Sequence, residues 1–302
     1  MEKPTRRSQH GNLKPKQALK HGIRPENLRI RPEREVRVSL KLDRRTLGDA
    51  LSKLNEFWFT CISTGAMLHR KFSADADIGP NFHWHEKGQL ECQESHSNVF
   101  LDITQGRQMW AVQRTDEKGR KAFRLEATGV DGMALQVRLT RQSRLDVFTE
   151  IARAHQTATT LLENPGPNPS SMLCWIEARR REWLQRPDIC RRVERNALPA
   201  FFFELQKVGY PQRFTVLNSL VKQTCQAKIA GIEQKDNMIQ LKSPGVIFQW
   251  DQSRVDQAWV IRCGCSCGEE VVEMYDYRNR LIASVATQGI TPAMARALPT
   301  LN

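Results

Sequence analysis

What is missing from this chain narrows its class before anything present is read. No run approaches the roughly 18 consecutive apolar residues of a membrane-crossing helix, so an α-helical span is excluded. The opening Met1-Glu2-Lys3-Pro4-Thr5-Arg6-Arg7 has no apolar core of the kind a secretion signal needs. The chain is therefore expected in the cytoplasm, with its eight cysteines mostly free thiols. No nucleophile elbow, phosphate-cradling loop, dinucleotide fingerprint or zincin helix occurs. Catalysis, if any, would rest on a bound cofactor that the protein orients, and no catalytic residue is assigned. Histidine is absent after His155, so all seven histidines fall in the first part of the chain.

Acidic residues are also short, at 33 Asp and Glu against 46 Lys and Arg, a formal net charge of +13. The surplus is concentrated. Residues 1–45 hold 14 Lys/Arg against 5 Asp/Glu, and residues 179–195 hold Arg179, Arg180, Arg181, Arg186, Arg191, Arg192 and Arg195 against Glu182, Asp188 and Glu194. Clustered cations suit anionic partners, since Lys and Arg neutralise phosphates and release counterions. Neither tract interleaves aromatics as a single-strand platform does, and no zinc-finger or RNA-recognition pattern is present. Nucleic acid is thus the second choice of partner, and a solvated basic face the plainer reading.

At 302 residues the chain has room for two domains of about 150 residues. It repeats itself once. Trp110-Ala111-Val112-Gln113-Arg114 leads to Gly119, Phe123-Arg124-Leu125, Asp131-Gly132 and Met133-Ala134-Leu135. Trp259-Val260-Ile261-Arg262 leads likewise to Gly268, Val272-Glu273-Met274, Arg278-Asn279-Arg280 and Leu281-Ile282-Ala283. Upstream, helix-like Leu47-Gly48-Asp49-Ala50-Leu51 is matched with Thr215-Val216-Leu217-Asn218-Ser219-Leu220. Duplicated folds commonly place ligands in the crevice beside the interface of the halves.

Local pattern supplies the elements. Residues 1–40 are polar and punctuated by proline, reading as a basic flexible tail with a short helix around Gln17–His21. Thr46 opens a helix to about Leu54, and Phe57–Ile62, Val99–Ile103 and Met109–Arg114 read as strands. Phe123, Leu125 and Ala127 alternate with polar residues, as on a sheet with one wet face. Ser143–His155 has the apolar stripe of an amphipathic helix. Pro165, Pro167 and Pro169 with Gly166 mark a linker at 161–174. Beyond it an Arg-rich helical stretch interrupted at Pro187, a helix near 215–224, and strands near 228–232, 238–241, 246–249 and 271–277 are predicted. The fold class follows as α+β: two tandem similar domains, 41–160 and 175–302, each an antiparallel sheet with helices packed on one face.

This order of elements resembles the bacterial cytoplasmic haemin-degrading and haem-trafficking proteins, the HemS-like family. The likeness rests on Trp259-Val260-Ile261-Arg262, Gly268, Val271–Tyr275 and Arg278–Ala283, with Asp131-Gly132, Leu135–Leu139, Leu145–Phe148, Leu47–Leu54 and His69 in the first copy. It implies haem as cofactor and a role binding haemin for transfer or breakdown, with iron release. It also implies a partner protein of haem uptake or degradation. The family's iron-binding histidine follows the linker, where Glu182–Gln185 offers none, and its Gln, Tyr and Arg fall on Ser284, Ala286 and Gly289. A bound haem would then need Cys190, Tyr210 or one of His69, His83 and His85 as donor. Arg179, Arg180, Arg181, Arg191 and Arg192 are the candidate rim for its two carboxylates. The rival is a binding or regulatory module on the same scaffold that has lost haem and takes an acidic protein or nucleic acid.

Three further clusters carry an alternative each. Cys263, Cys265 and Cys267 offer soft ligands, though structural zinc prefers four donors at wider spacing; a Gly-rich turn is the plainer reading. His83, His85, Cys92 and His96 are N and S donors within fourteen residues, or simply an exposed polar loop. Trp175, Trp183 and Phe201-Phe202-Phe203 line a pocket or belong to the core. No dedicated metal site is assigned.

Overall fold

The computed structural model describes residues 34–73, 81–85, 88–94, 96–157, 182–183, 185–262 and 269–301. The tail helix at Gln17–His21, the linker at 161–174, Trp175, Arg179–Arg181 and the cysteines of 263–267 lie outside the described residues. Residues 37–112 and 123–301 belong to one compact unit. The hairpin tip at 113–122 is built on its own terms. There Asp116 accepts from the Lys118 and Arg120 amides, both at 2.9 Å, and pairs with the Arg120 guanidinium at 2.7 Å, while Gly119 takes a φ of 76°.

The first copy runs β1 (Arg34–Leu40), α1 (Arg44–Lys53), β2 (Glu56–Ile62), β3 (Ala66–Ser73), β4 (Asn81–Trp84), β5 (Gln89–Glu94), β6 (Ser97–Asp102), β7 (Gly106–Thr115), β8 (Lys121–Gly129), β9 (Gly132–Leu139) and α2 (Leu145–Ala154). The second runs β10 (Cys190–Val193), α3 (Leu198–Val208), β11 (Gln212–Leu217), β12 (Val221–Ala227), β13 (Gly231–Lys235), β14 (Met238–Ser243), β15 (Val246–Asp251), β16 (Gln257–Arg262), β17 (Glu269–Tyr275), β18 (Leu281–Gln288) and α4 (Pro292–Ala297). The order is the same twice over, and the fold is α+β.

The copies exchange strands. One nine-stranded sheet has the order β1-β7-β8-β9-β2-β3-β15-β14-β13, and the other β10-β16-β17-β18-β11-β12-β6-β5-β4. Each copy's meander (β4–β6 or β13–β15) thus completes the other's sheet, through β3 against β15 and β12 against β6. All the pairings described are antiparallel, and alternate residues point inward. Phe57, Phe59 and Cys61 of β2 are buried in the core. So are Phe214 and Phe248, which stack across the two sheets at 5.2 Å. The helices bury their apolar stripes against the same core: Val147, Phe148 and Ile151 from α2, and Leu198, Phe201, Phe202 and Leu205 from α3.

Equivalences between the copies follow from register. The β2–β3 turn closes with Ser63 N donating to Ala66 O, and the β11–β12 turn with Asn218 N donating to Val221 O, both at 2.8 Å. Thr60 faces His69 in one hairpin and Thr215 faces Thr224 in the other. Trp110 and Trp259 each lie eight residues beyond an aspartate, Asp102 or Asp251, that caps a short 3-10 turn. They occupy equivalent strands, β7 and β16.

Several expectations are corrected. The counterpart of α1 is α3, not Thr215–Leu220, and no helix spans 215–224. That stretch is β11, a turn and the start of β12. The physical reason is local: Thr215, Val216 and Val221 are β-branched and stiff in an extended chain. Asn218 makes the turn by accepting from the Leu220 and Val221 amides, both at 2.8 Å. The strand expected at 228–232 forms at Gly231–Lys235. Beyond Pro187 the Arg-rich stretch does not resume as helix, since β10 begins at Cys190 and a 3-10 turn follows at Arg195–Ala197. The first helix is capped by Asp43, whose carboxylate accepts from Thr46 N at 2.8 Å, rather than by Thr46.

Candidate functional site: the outer face of the first sheet

Because β2 turns Phe57, Phe59 and Cys61 inward, its other residues, Glu56, Trp58, Thr60 and Ile62, lie on the outer face, where Glu56 pairs with Lys71 at 2.7 Å. Cross-strand register extends that face in two rows. The first row is Glu126–Gln136–Thr60–His69, running across β8, β9, β2 and β3. The second is Arg124–Arg138–Trp58–Lys71 on the same four strands. Ile62 and Met67 follow beyond Thr60 and His69, and Ile247 of β15 lies opposite His69; all three are half-buried.

Histidine 69 is the group best prepared for chemistry. Its Nδ1 lies 2.8 Å from Thr60 Oγ1. Among the described residues its Nε2 has no hydrogen-bond partner. Burial, assisted by the charge of Arg138, lowers the imidazole from 6.5 to about 4. The ring is therefore neutral at physiological pH. With Thr60 accepting from Nδ1–H, the Nε2 lone pair is left as a donor, the state in which histidine binds metals.

The neighbouring charges are unevenly matched. Glu126, with 4% of its side chain exposed, receives Arg124 Nε at 2.5 Å and Gln136 Nε2 at 3.2 Å on Oε1. Its Oε2 has no hydrogen bond among the described residues and lies 3.5 Å from Arg37, which also stands over the Trp110 ring at 5.8 Å. Arg138 sits directly opposite Arg124, a like-charge pair that costs stability on a sheet. It is exposed, and among the described residues no carboxylate pairs with it. The face thus combines a neutral nitrogen donor, an uncompensated guanidinium, a half-buried indole and aliphatic side chains. Those are the parts a haem needs: an axial donor, cations for its carboxylates and apolar surface.

The equivalent face of the second copy has the frame without the donor. Thr224 replaces His69, and its hydroxyl meets that of Thr215 at 3.1 Å. Ser284 and Ala286 stand where the first copy has Gln136 and Arg138, and Gly289 where it has Arg141. Glu273 occupies the place of Glu126 and accepts from the Tyr275 hydroxyl. Leu217, Tyr275 and Leu281 form a small apolar cluster there, with Trp259 against it.

The residues singled out from sequence are dispersed. Cys190 is buried on the edge strand β10, opposite Ile261. Arg191 donates to Leu298 O at 3.0 Å and Thr300 Oγ1 at 3.2 Å, tying down the C-terminal segment. Arg192 is exposed opposite Trp259. Tyr210, 62% exposed, follows α3 and precedes β11. Three strands separate β10 from β11, which puts those two strands about 19 Å apart at 4.8 Å per strand. Cys92 is buried in the core, whereas His83 is exposed and His85 is hydrogen-bonded to Glu91 at 3.0 Å; among the described residues no metal-holding group of acidic, His or Cys side chains forms. Phe201 and Phe202 are core and Phe203 is exposed. Gln136, Arg138 and Trp58 escaped sequence reading. Counting Ser284 and Ala286 back into the first copy finds Gln136 and Arg138 only once the register is known.

The architecture, two tandem α+β copies exchanging strands, is a fold shared with solved structures. The chain is similar to holo-PhuS, a haem-binding protein from Pseudomonas aeruginosa, with a TM-score of 0.71 at 15% identity over 88% of this chain and 87% of that one. It is similar also to ChuS, an E. coli haem oxygenase, with a TM-score of 0.69 at 14% identity over 86% and 87%. No family model and no curated protein sequence matches. Among the described residues no helix is long and apolar enough to cross a membrane.

Proposed function

We propose that this protein binds haemin on the outer face of its first copy, for transfer or breakdown in the cytoplasm, in exchange with a partner protein of haem uptake or degradation. His69 Nε2 is the iron ligand, Trp58 with Ile62, Met67 and Ile247 offers ring contact, and Arg138 with Gln136 meets a carboxylate. The carrying observation is His69 itself, neutral, anchored through Nδ1 by Thr60 and free at Nε2, on a fold whose solved relatives handle haem. Bound haem would supply redox and oxygen chemistry, with this chain's residues holding and orienting it.

Titration of the purified protein with haemin tests the reading. Saturation near one equivalent with a Soret shift is expected, and His69→Ala should abolish the histidine-type spectrum. Cys190→Ala and Tyr210→Phe should leave it unchanged. A spectrum altered by Cys190→Ala would move the site to the second copy. Failure to saturate would support a scaffold that has lost haem, and salt-sensitive retention on heparin would then point to an acidic or nucleic-acid partner.

A further inference from the structure

The surroundings of His69 say more than that it can bind iron. Histidine ligands gain basicity when the second ring nitrogen donates to a carboxylate. In the tautomer that leaves Nε2 for iron, the acceptor is the neutral Thr60 hydroxyl at 2.8 Å, although a buried carboxylate, Glu126, lies in the same row. Glu126 is engaged by Arg124, Gln136 and Arg37 instead. On the same face Arg138 projects a positive charge that no described carboxylate cancels, whereas Arg124 directly opposite is paired with Glu126. A weakly donating imidazole beside uncompensated positive charge disfavours the extra positive charge of ferric iron relative to ferrous.

We infer that Arg138 and the Thr60–His69 pair tune the first-copy face toward ferrous haem, with Arg138 as a positioning and tuning residue rather than an iron ligand. This rests on the reading of His69 as the ligand. Ferric haem is held more loosely than a carboxylate-backed histidine would hold it, which suits a protein that must hand its ligand on.

The test is a spectroelectrochemical titration of the haem complex of the full chain, wild type and variants at Arg138. Arg138→Gln should lower the midpoint potential, Arg138→Glu should lower it further, and Arg138→Lys should leave it near wild type. One unit of charge acting through a partly solvated face corresponds to a change of about threefold in the ferrous-to-ferric affinity ratio. An unchanged potential in Arg138→Gln and Arg138→Glu, with the histidine-type spectrum retained and still lost in His69→Ala, would overturn the inference and leave the site standing. A spectrum indifferent to His69→Ala would remove both.

Discussion

Ser63 and Asn218 occupy equivalent turns in the two copies, and each reaches into the other copy's sheet. Ser63 Oγ donates to Ile282 O at 2.7 Å, and Asn218 Nδ2 donates to Ala134 O at 2.9 Å and to Ile62 O at 2.8 Å. Ile282 and Ala134 are themselves equivalent positions on β18 and β9, so the bonds form a reciprocal pair across the seam. Beside them Cys61 N donates to Gln223 Oε1 at 2.9 Å, and burial pushes the Cys61 thiol far above its usual range. The seam is sealed by polar bonds inside an apolar core, where a lost partner is costly.

Asn218→Ala should therefore destabilise the whole molecule. It removes two donors to buried carbonyls and the acceptor for the Leu220 and Val221 amides, for a loss of about 3 kcal/mol. Ser63→Ala should cost about 1 kcal/mol. Equilibrium urea unfolding measures both. Equal small losses would mean that the seam does not depend on the asparagine.

Gly65→Ala should also destabilise, for steric reasons. A Cβ there would lie 2.9 Å from Arg254 Cβ and 3.2 Å from Ile282 Cδ1, so the two copies would have to separate locally. Overpacking of this kind costs about 1–3 kcal/mol. Gly231→Ala, whose Cβ would meet nothing within 4 Å, is the control and should unfold within about 1 kcal/mol of the parent.

Acidification should weaken the fold in two stages. His69 titrates near 4 when folded and near 6.5 when unfolded, so between those values the unfolded chain binds the extra proton. The stability this neutral ring contributes is complete above 6.5 and lost as pH falls toward 4, by roughly 3 kcal/mol in all. Below that, carboxylates held low in the folded state begin to take up protons. Burial alone would raise Glu56, but hydrogen bonds from Lys71 and Thr140 with the charge of Lys71 hold it down. Glu91 is held down by Gln93 and Asn98, with His85 adding to the effect. Stability from both is present above the ordinary carboxylate range and lost as pH falls below it, through their lowered folded values. Urea midpoints of the haem-free protein from pH 7 to 4 should fall, and His69→Gln should remove the first stage. A midpoint flat to pH 4.5 in the wild type would contradict the burial of His69.

Thr60→Val should separate positioning from packing. It keeps the volume and β-propensity of Thr60 while deleting the acceptor for His69 Nδ1, and loss of such a partner costs about 10–100-fold in metal affinity. Haemin affinity should drop by that order, while the unpaired His69 nitrogen costs the fold about 1–3 kcal/mol in urea. An affinity within threefold of wild type would show that the ring is oriented by packing alone.

The sequence by itself carried the class and much of the local structure. Alternation at Phe57–Ile62 and Phe123–Ala127, the stripe of α2 and the repeated tryptophans are properties of neighbouring residues, legible because side-chain direction follows from backbone period. The missing histidine after His155 was likewise plain. What the chain could not show was how the copies align or where their strands go. Offsets between equivalent residues run from 155 at Thr60 and Thr215 to 149 at the tryptophans and 148 at Gln136 and Ser284, because the loops and turns between strands differ in length. No single shift could bring Gln136 and Arg138 onto Ser284 and Ala286. Strand exchange is decided by which edge a meander covers, a choice between surfaces distant in sequence. The Thr60–His69 pairing is local, but its meaning is not. Only the assembled sheet buries the ring, sets Arg138 on the same face and leaves Nε2 without a partner among the described residues, since burial and charge act through space rather than along the chain.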